Sequence, residues 1–542
     1  GVWNSVSTWA DAEDGTAGAS VPAGSDNVII DESHTVTLDR NEECQYLEQK
    51  GGSGTESTLA LASYTLTINS RNAGNSRVIY LPNSYCNIAD STGTIKLTGT
   101  ADASHKLVGL DNWADELQNL TIHTSGDNPT YRQESALTVN GNLTITAGTL
   151  TTNTSNHALT VTGHAQVDGT LTCNASTVTA LSIDVGDGGT LTAPTGTYDI
   201  GKDIDGEDFA SSTSATTFTS DSSHGIVVGD IIRIDSEDMY VSGVSTNDIT
   251  VTRGFLGSTA ATHANNASIL KQGQLILTGD TGGDAFDCYT SSRTFTAGAG
   301  TITFKGNSTP QIRNISGENF HHVIINTTGG TPIVETQRDM VIGGTLTVIE
   351  GTLRSYSSTA RSITVTGAVS VEDGGTLGGG SANTANHSFG SLTIASGGTY
   401  SATEGTTTIT NKNGSNYIIQ IGGLFTHNGG LVYIDTSVGG DKLLDLIPSG
   451  GAGLNNLKVN EDGGGGIQFN GNTTIAGYLT IEEGAFTFYD SNNSELTVAG
   501  DVSIEDGGTL GAANQTDDYE FKSLTIADGG TFVATSGTTT LT

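Results

Sequence analysis

The sequence predicts an all-β chain wound as a right-handed parallel β-helix (β-solenoid), with one small inserted all-β domain. Three observations carry that expectation. Of 542 residues, 74 are Gly, 7 Pro, 3 Trp and 2 Met, with 35% apolar and 6% aromatic, too few large side chains for several thick cores. Thr, Val, Ile and Leu alternate with polar residues through most of the chain, punctuated by Asn, Asp and Gly, as short strands joined by tight turns require. The chain also repeats itself: VEDGGTLGGG (371–380) returns as IEDGGTLGAA (504–513). A building unit is needed many times, a catalytic motif once.

The repeats are nested. Residues 362–410 are echoed by 495–542, and LQNLTIHTSGD, FHHVIINTTGG and LNNLKVNEDGG align on Leu120, Val323 and Leu457. A second set, GNLTITAGTL (141–150), GTLTVIEGTL (344–353) and GYLTIEEGAF (477–486), keeps nearly the same offsets. The first repeat carries about 70 additional residues, and the recurring GTL stops between about 204 and 272, where a module with its own alternation (Ile231, Arg233, Asp235; Ile249, Val251) begins. A turn is where an insertion is best tolerated.

In chain order, 1–94 reads as an N-terminal capping segment with the first coils, and 95–203 as the first part of repeat 1. The inserted all-β module occupies 204–272, the solenoid resumes over 273–301, repeat 2 spans 302–430 and repeat 3 spans 431–542. Within repeats, GTL at 148–150, 169–171 and 189–191 sets a coil of 20–24 residues. At about 22 residues per coil and about 4.8 Å between coils, a rod about 100 Å long is expected. Leu143 and Ile145, Leu392 and Ile394, and Leu524 and Ile526 should face inward, with Thr144, Thr393 and Thr525 outward.

Glu-Asp-Gly-Gly is then a corner. Gly374 and Gly375 are expected at positive φ, Asp373 to cap the turn through backbone amides, and Leu377 to re-enter the core. The rival reading is Ca²⁺ at these acidic Gly-rich corners, although the GGxGxD series of calcium-binding solenoids is missing. Trp3 and Trp9 stand ahead of a strand pair at Val28–Ile30 and Val36–Leu38, as an end plug rather than a sugar platform. The chain begins at Gly1 rather than Met, so an earlier segment is expected. It stops at GTTTLT, which in the preceding repeat runs on into further strand, so either the polypeptide continues past Thr542 or another subunit covers this end.

A net charge of −37 repels phosphate backbones and anionic lipid, arguing against nucleic-acid partners. No run of about 18 apolar residues would insert into a membrane. Cys44, Cys86, Cys173 and Cys288 lack CxxC spacing, leaving Cys44 with Cys86 as a pair able to bridge.

No catalytic, cofactor-binding or metal residue is assigned. Asp517-Asp518 is the only Asp-Asp pair and reads as a solvated turn, because neighbours in a strand point to opposite faces. His321-His322 falls where the sister repeats have Gln118-Asn119 and Asn455-Asn456, so position 322 belongs to an Asn-type stack, with one ring facing in and the other out. Ser223-His224-Gly225 lacks a nucleophile-elbow context. Sequons occur at Asn119, Asn142, Asn174, Asn307, Asn314 and Asn472.

These residues carry a resemblance. The stretch VGDIIRIDSEDMYVSGVSTNDITVTRGFLGSTAATH (228–263) resembles a small module of tailed-phage structural proteins. The cassette over 300–353 is similar to repeats of phage fibres and of bacterial or archaeal surface β-helix proteins, and the first residues resemble the opening coils of large secreted surface proteins. The resemblance implies a virion fibre or spike, non-enzymatic, at the virion surface or extracellular. Its partners would be other virion or surface structural subunits, a host cell-surface glycan or protein receptor, and copies of itself as a homo-oligomer, a trimer by analogy. The alternatives are a cell-surface adhesin, sheath or layer subunit, and a polysaccharide-degrading tailspike. Loops 378–389 and 511–521, which differ between matching repeats, are the expected seat of specificity.

Overall fold

The computed structural model describes residues 1–11, 16–70, 76–90, 92–99, 105–107, 117–124, 129–152, 155–205, 209, 212–290, 292–307, 309–314, 320–328, 332–355, 359–378, 383–446, 453–489, 494–512 and 515–542. Among them the chain is a parallel β-solenoid whose one helical element is the 3-10 turn Val6–Thr8. Two compact bodies divide it: Gly1–Tyr198 with Gln272–Ile302, and Asp199–Lys271 with Thr303–Thr542.

In the first body, the recurring Gly-Thr-Leu becomes a ladder. Thr149, Thr170, Thr190 and Thr294 pair in succession, and beside them Tyr131, Leu150, Leu171, Leu191 and Phe295 form one buried column. A second column runs Leu66, Ile95, Leu120, Leu143, Ala165, Ile183 and Phe286, again in parallel register. Every residue in it is 0–1% exposed. Each buried Leu or Ile contributes about 1.5–3 kcal/mol, so the core is a set of stacked rows and not a globular centre. Trp3 is fully buried; its backbone N–H donates to Thr37 O, and Trp9 meets it edge to face at 5.0 Å.

The second body repeats the scheme. Val323, Leu346, Val369, Leu392 and Ile419 form one column, and Val334, Leu353, Leu377, Tyr400 and Phe425 another. At the last coils Leu524 and Ile526 continue the buried columns of Val502 and Ile504. Leu524 is only half-buried and Ile526 is 45% exposed, because the strand Thr539–Leu541 covers Tyr519–Phe521 and no described coil lies over 524–526.

The corner differs from expectation too. Gly374 has φ +85°, but Gly375 does not enter the left-handed region. Gly375 is required for another reason: a Cβ there would sit 2.3 Å from Val348 O of the coil below. Asp373 does not cap the turn through amides. Gly375 N–H donates to Glu372 O (2.9 Å) and closes it, while the Asp373 carboxylate lies against Gly397 of the next coil. Cys44 and Cys86 are both buried, and no disulfide joins them.

Val178 pairs with Leu275 and Gly273 N–H donates to Gly196 O (3.2 Å), so the intervening chain leaves and rejoins one coil at nearly the same point. That chain is a closed antiparallel barrel of six strands, ordered Thr197–Asp205, Thr217–Ser220, Asp248–Phe255, Glu237–Ser245, Ile231–Ile234, Ser268–Gln272. Phe209, Phe218, Ile232, Met239, Val251 and Ile269 are among the side chains filling it. Its outer residues Ile231, Tyr240 and Phe255 pack with Ile324 of the solenoid, flanked by Leu256 and Ile349. Tyr240 Oη accepts from Asn326 Nδ2 at 2.7 Å. The sister repeats carry Thr121 and Lys458 where Ile324 stands, and Thr146 and Glu482 where Ile349 stands. The two outward aliphatics thus mark where the barrel sits.

Candidate functional site

Outward-facing polar residues fall into register as strictly as the core does. Many Asn residues at strand starts accept the backbone N–H of the next coil: Asn119 Oδ1 from Asn142 (3.0 Å), Asn142 Oδ1 from His164 (2.9 Å), Asn456 Oδ1 from Tyr478 (3.2 Å) and Asn472 Oδ1 from Glu495 (3.0 Å). His322 Nδ1 takes the same role toward Thr345 N–H (3.1 Å). Burial, then the neighbouring His321 and Arg233, push His322 down to about 4, which keeps its ring a neutral acceptor. Both His321 and His322 are half-buried, ring to ring at 4.3 Å, so the expectation of one in and one out is corrected: they start a strand at a corner. The sequon residues Asn119, Asn142 and Asn472 belong to this ladder, and Asn174 Nδ2 donates to Thr151 and Thr152. Asn307 is exposed, and the Asn314 side chain lies outside the described residues.

Asp517 is corrected as well. It is fully buried, not solvated, and its Oδ1 accepts Ser494 N–H at 2.9 Å; Asp518 is exposed and its Oδ1 accepts Thr538 N–H at 2.5 Å. His224 serves the barrel, with Nδ1 accepting Ile226 N–H and Nε2 against Thr246 O. Loops 378–389 and 511–521 fall partly outside the described residues.

A stripe of polar side chains lies on the first body, half-buried at Thr144, Gln166 and Asp184 and buried at Asp287. Thr144, Gln166, Asp184 and Asp287 stand in register on consecutive coils. Arg293 reaches across them, its Nη1 donating to Asp184 Oδ1 (2.9 Å) and Asp287 Oδ1 (3.3 Å), with Nε 3.5 Å from Asp187 Oδ1. Ser292 and Thr290 hydroxyls, each donating to Asp187 at 2.9 Å, and then Arg293 hold that carboxyl below its ordinary range. Tyr289, 37% exposed, presents its ring 5.2 Å from the guanidinium. On the preceding coil Gln166 Nε2 donates to Asp168 (2.7 Å), and His164 Nδ1 lies 2.9 Å from Ser182 Oγ. Fixed acceptors, a fixed cation and an exposed ring suit a polyhydroxyl ligand. Reading the sequence alone missed this stripe, since the inserted barrel separates Asp184 from Asp287. Aligning Ile183 with Phe286 as one core column would have exposed it.

The polar letters of the 228–263 motif are spent internally. Asp230 Oδ2 accepts Val227 N–H (2.7 Å) and pairs with Lys271 (2.8 Å). Glu237, fully buried, accepts both Arg253 Nε and Nη2 at 2.7 Å and is held at about 2: burial alone would raise it, and Arg253, two backbone amides and His263 outweigh that. Carboxylates of Asp203, Asp205 and Asp221 lie within 4.8 Å of one another, an oxygen set able to hold a hard cation. At the corner where Ca²⁺ was considered, Glu372 accepts the Ser370 hydroxyl. A cavity of about 600 Å³ lies between Trp9 and the strand Asn27–Ile30, with Asp26, Asp31 and His34 at its wall.

No protein-family model matches the chain, and no curated protein matches it. Among solved structures it is similar to the Gp54 tailspike of Acinetobacter baumannii bacteriophage AP22 in complex with A. baumannii capsular saccharide, at 8% identity over 76% of this chain and 67% of that one. The TM-score is 0.19.

Proposed function

We propose that this chain is a non-enzymatic structural and adhesive protein of a phage-like virion, a fibre or spike whose coils present host-binding surfaces outside the cell. Its partners are other structural subunits, copies of itself in a homo-oligomer, a trimer by resemblance, and a host surface glycan. The likeness of 228–263 to a tailed-phage module supports the setting. The observation that carries the binding role is the Gln166, Asp184, Asp287 stripe with Arg293 and Tyr289 beside it.

Titration of the whole chain with purified bacterial surface polysaccharides tests it. Tyr289→Ala and Gln166→Ala, which leave the Arg293 carboxylate bonds intact, should each weaken binding about 10-fold, the effect of losing about 1.4 kcal/mol of stacking or hydrogen bonding. Binding unaltered by both changes would remove the stripe from the proposal.

A further inference from the structure

We infer that a proton held between His263 and Asp235 latches the 256–263 loop, and that this loop seats the inserted barrel on the solenoid coils. His263 is fully buried, and each of its ring nitrogens faces a carboxylate: Nε2 lies 2.9 Å from Glu237 Oε2 and Nδ1 lies 2.8 Å from Asp235 Oδ2. A neutral imidazole donates from one nitrogen only. Glu237 already accepts Arg253 twice and the N–H groups of Gly254 and Ala261 at 2.9 Å, so it is the ionised partner. With Nε2–H given to Glu237, the contact between Nδ1 and Asp235 sets two lone pairs face to face unless a second proton lies there. Asp235 is 63% exposed at its side chain and occupies the left-handed region at φ +52°, as the first residue of a two-residue hairpin turn does.

The groups facing His263 are Asp235 in the turn between Ile231–Ile234 and Glu237–Ser245, Glu237 itself, and Arg253 through Glu237; the Phe209 ring stands 6.1 Å away. No other charged group is described against it. The loop is bound to the same network at Ala261, whose carbonyl accepts Arg253 Nη2, and at His263, whose N–H donates to Phe209 O (2.9 Å). It also touches the coils. Leu256 packs against the cluster that joins Tyr240 and Phe255 to Ile324, a Cβ at Gly257 would lie 3.4 Å from Thr345 Cγ2, and Thr259 Oγ1 lies 3.5 Å from where Gly414 would carry one. The latch is therefore closed while that proton is in place.

Hydrogen–deuterium exchange of the whole chain, corrected for intrinsic rates, reads the latch at the amides of Gly254 and Ala261. In Asp235→Gly, which removes the carboxylate and keeps the left-handed backbone, their protection should fall about 10-fold or more, the worth of one charge-assisted hydrogen bond, while strand Thr217–Ser220 stays protected. In Asp235→Asn the new amide donates to a neutral Nδ1 and suits the left-handed backbone, so protection should persist. His263→Gln should show low protection. Unaltered protection in Asp235→Gly, or an Asp235→Asn variant that loses as much as Asp235→Gly, overturns the inference.

Discussion

The two glycines of each corner do different physical work, and substitution separates them. Gly374 (φ +85°) has nothing closer than 3.7 Å to a prospective Cβ, whereas Gly375 has Val348 O at 2.3 Å. Gly374→Asn should cost under about 1 kcal/mol, because Asn tolerates the left-handed region. Gly375→Ala should cost about 1–3 kcal/mol by forcing the coils apart. Exchange of the amides in Ile363–Val371 and Leu346–Ser355 measures both, and equal effects would refute the distinction. Titration is also a residue-scale property here. Burial pushes His322 and His387 down to about 4, and His387 Nδ1 accepts Ile363 N–H at 3.0 Å. Each folded pKa lies below the ordinary 6.5. The stabilising contribution is therefore full above about 6.5, declines by about 1.4 kcal/mol per pH unit and per histidine down to about 4, and is gone below it. Urea unfolding at successive pH values should show that slope, reduced by about half in His387→Gln.

At the scale of elements, the core columns were legible in the sequence because a solenoid writes each contact as a spacing. Leu150, Leu171 and Leu191 are a coil apart in sequence and neighbours in space. Periodicity was silent wherever a residue's partner lies off its own ladder. Ile324 and Ile349 break the outward polar pattern of their sister repeats, yet only the barrel's Tyr240 and Phe255 explain why. Asp184 and Asp287 meet only after the barrel is looped out, and Asp517 looked like a solvated turn because its Ser494 partner sits one coil away. The Asn-type site at 322 was readable from alignment of the repeats, but its role, accepting the next coil's N–H, was not.

For the whole molecule, the registers imply that the solenoid does not need the barrel to fold. Val178 pairs with Leu275, Leu191 with Phe295, and Gly196 O accepts Gly273 N–H, so the coil closes on itself across the insertion. Replacing 198–271 by two glycines should leave the β signal and the exchange protection of Val178–Val185 and Gln274–Leu277 intact. The deletion uncovers Ile324 and Ile349, and exposed aliphatics on a strand face invite association. The deletion variant should therefore self-associate, and Ile324→Thr with Ile349→Thr, the residues of the first repeat, should restore it to the parent's dispersed state. Light scattering separates the two effects: if the doubly substituted deletion still aggregates, or if Val178–Val185 loses protection, the coils depend on the barrel and the registers across the insertion are a consequence of it.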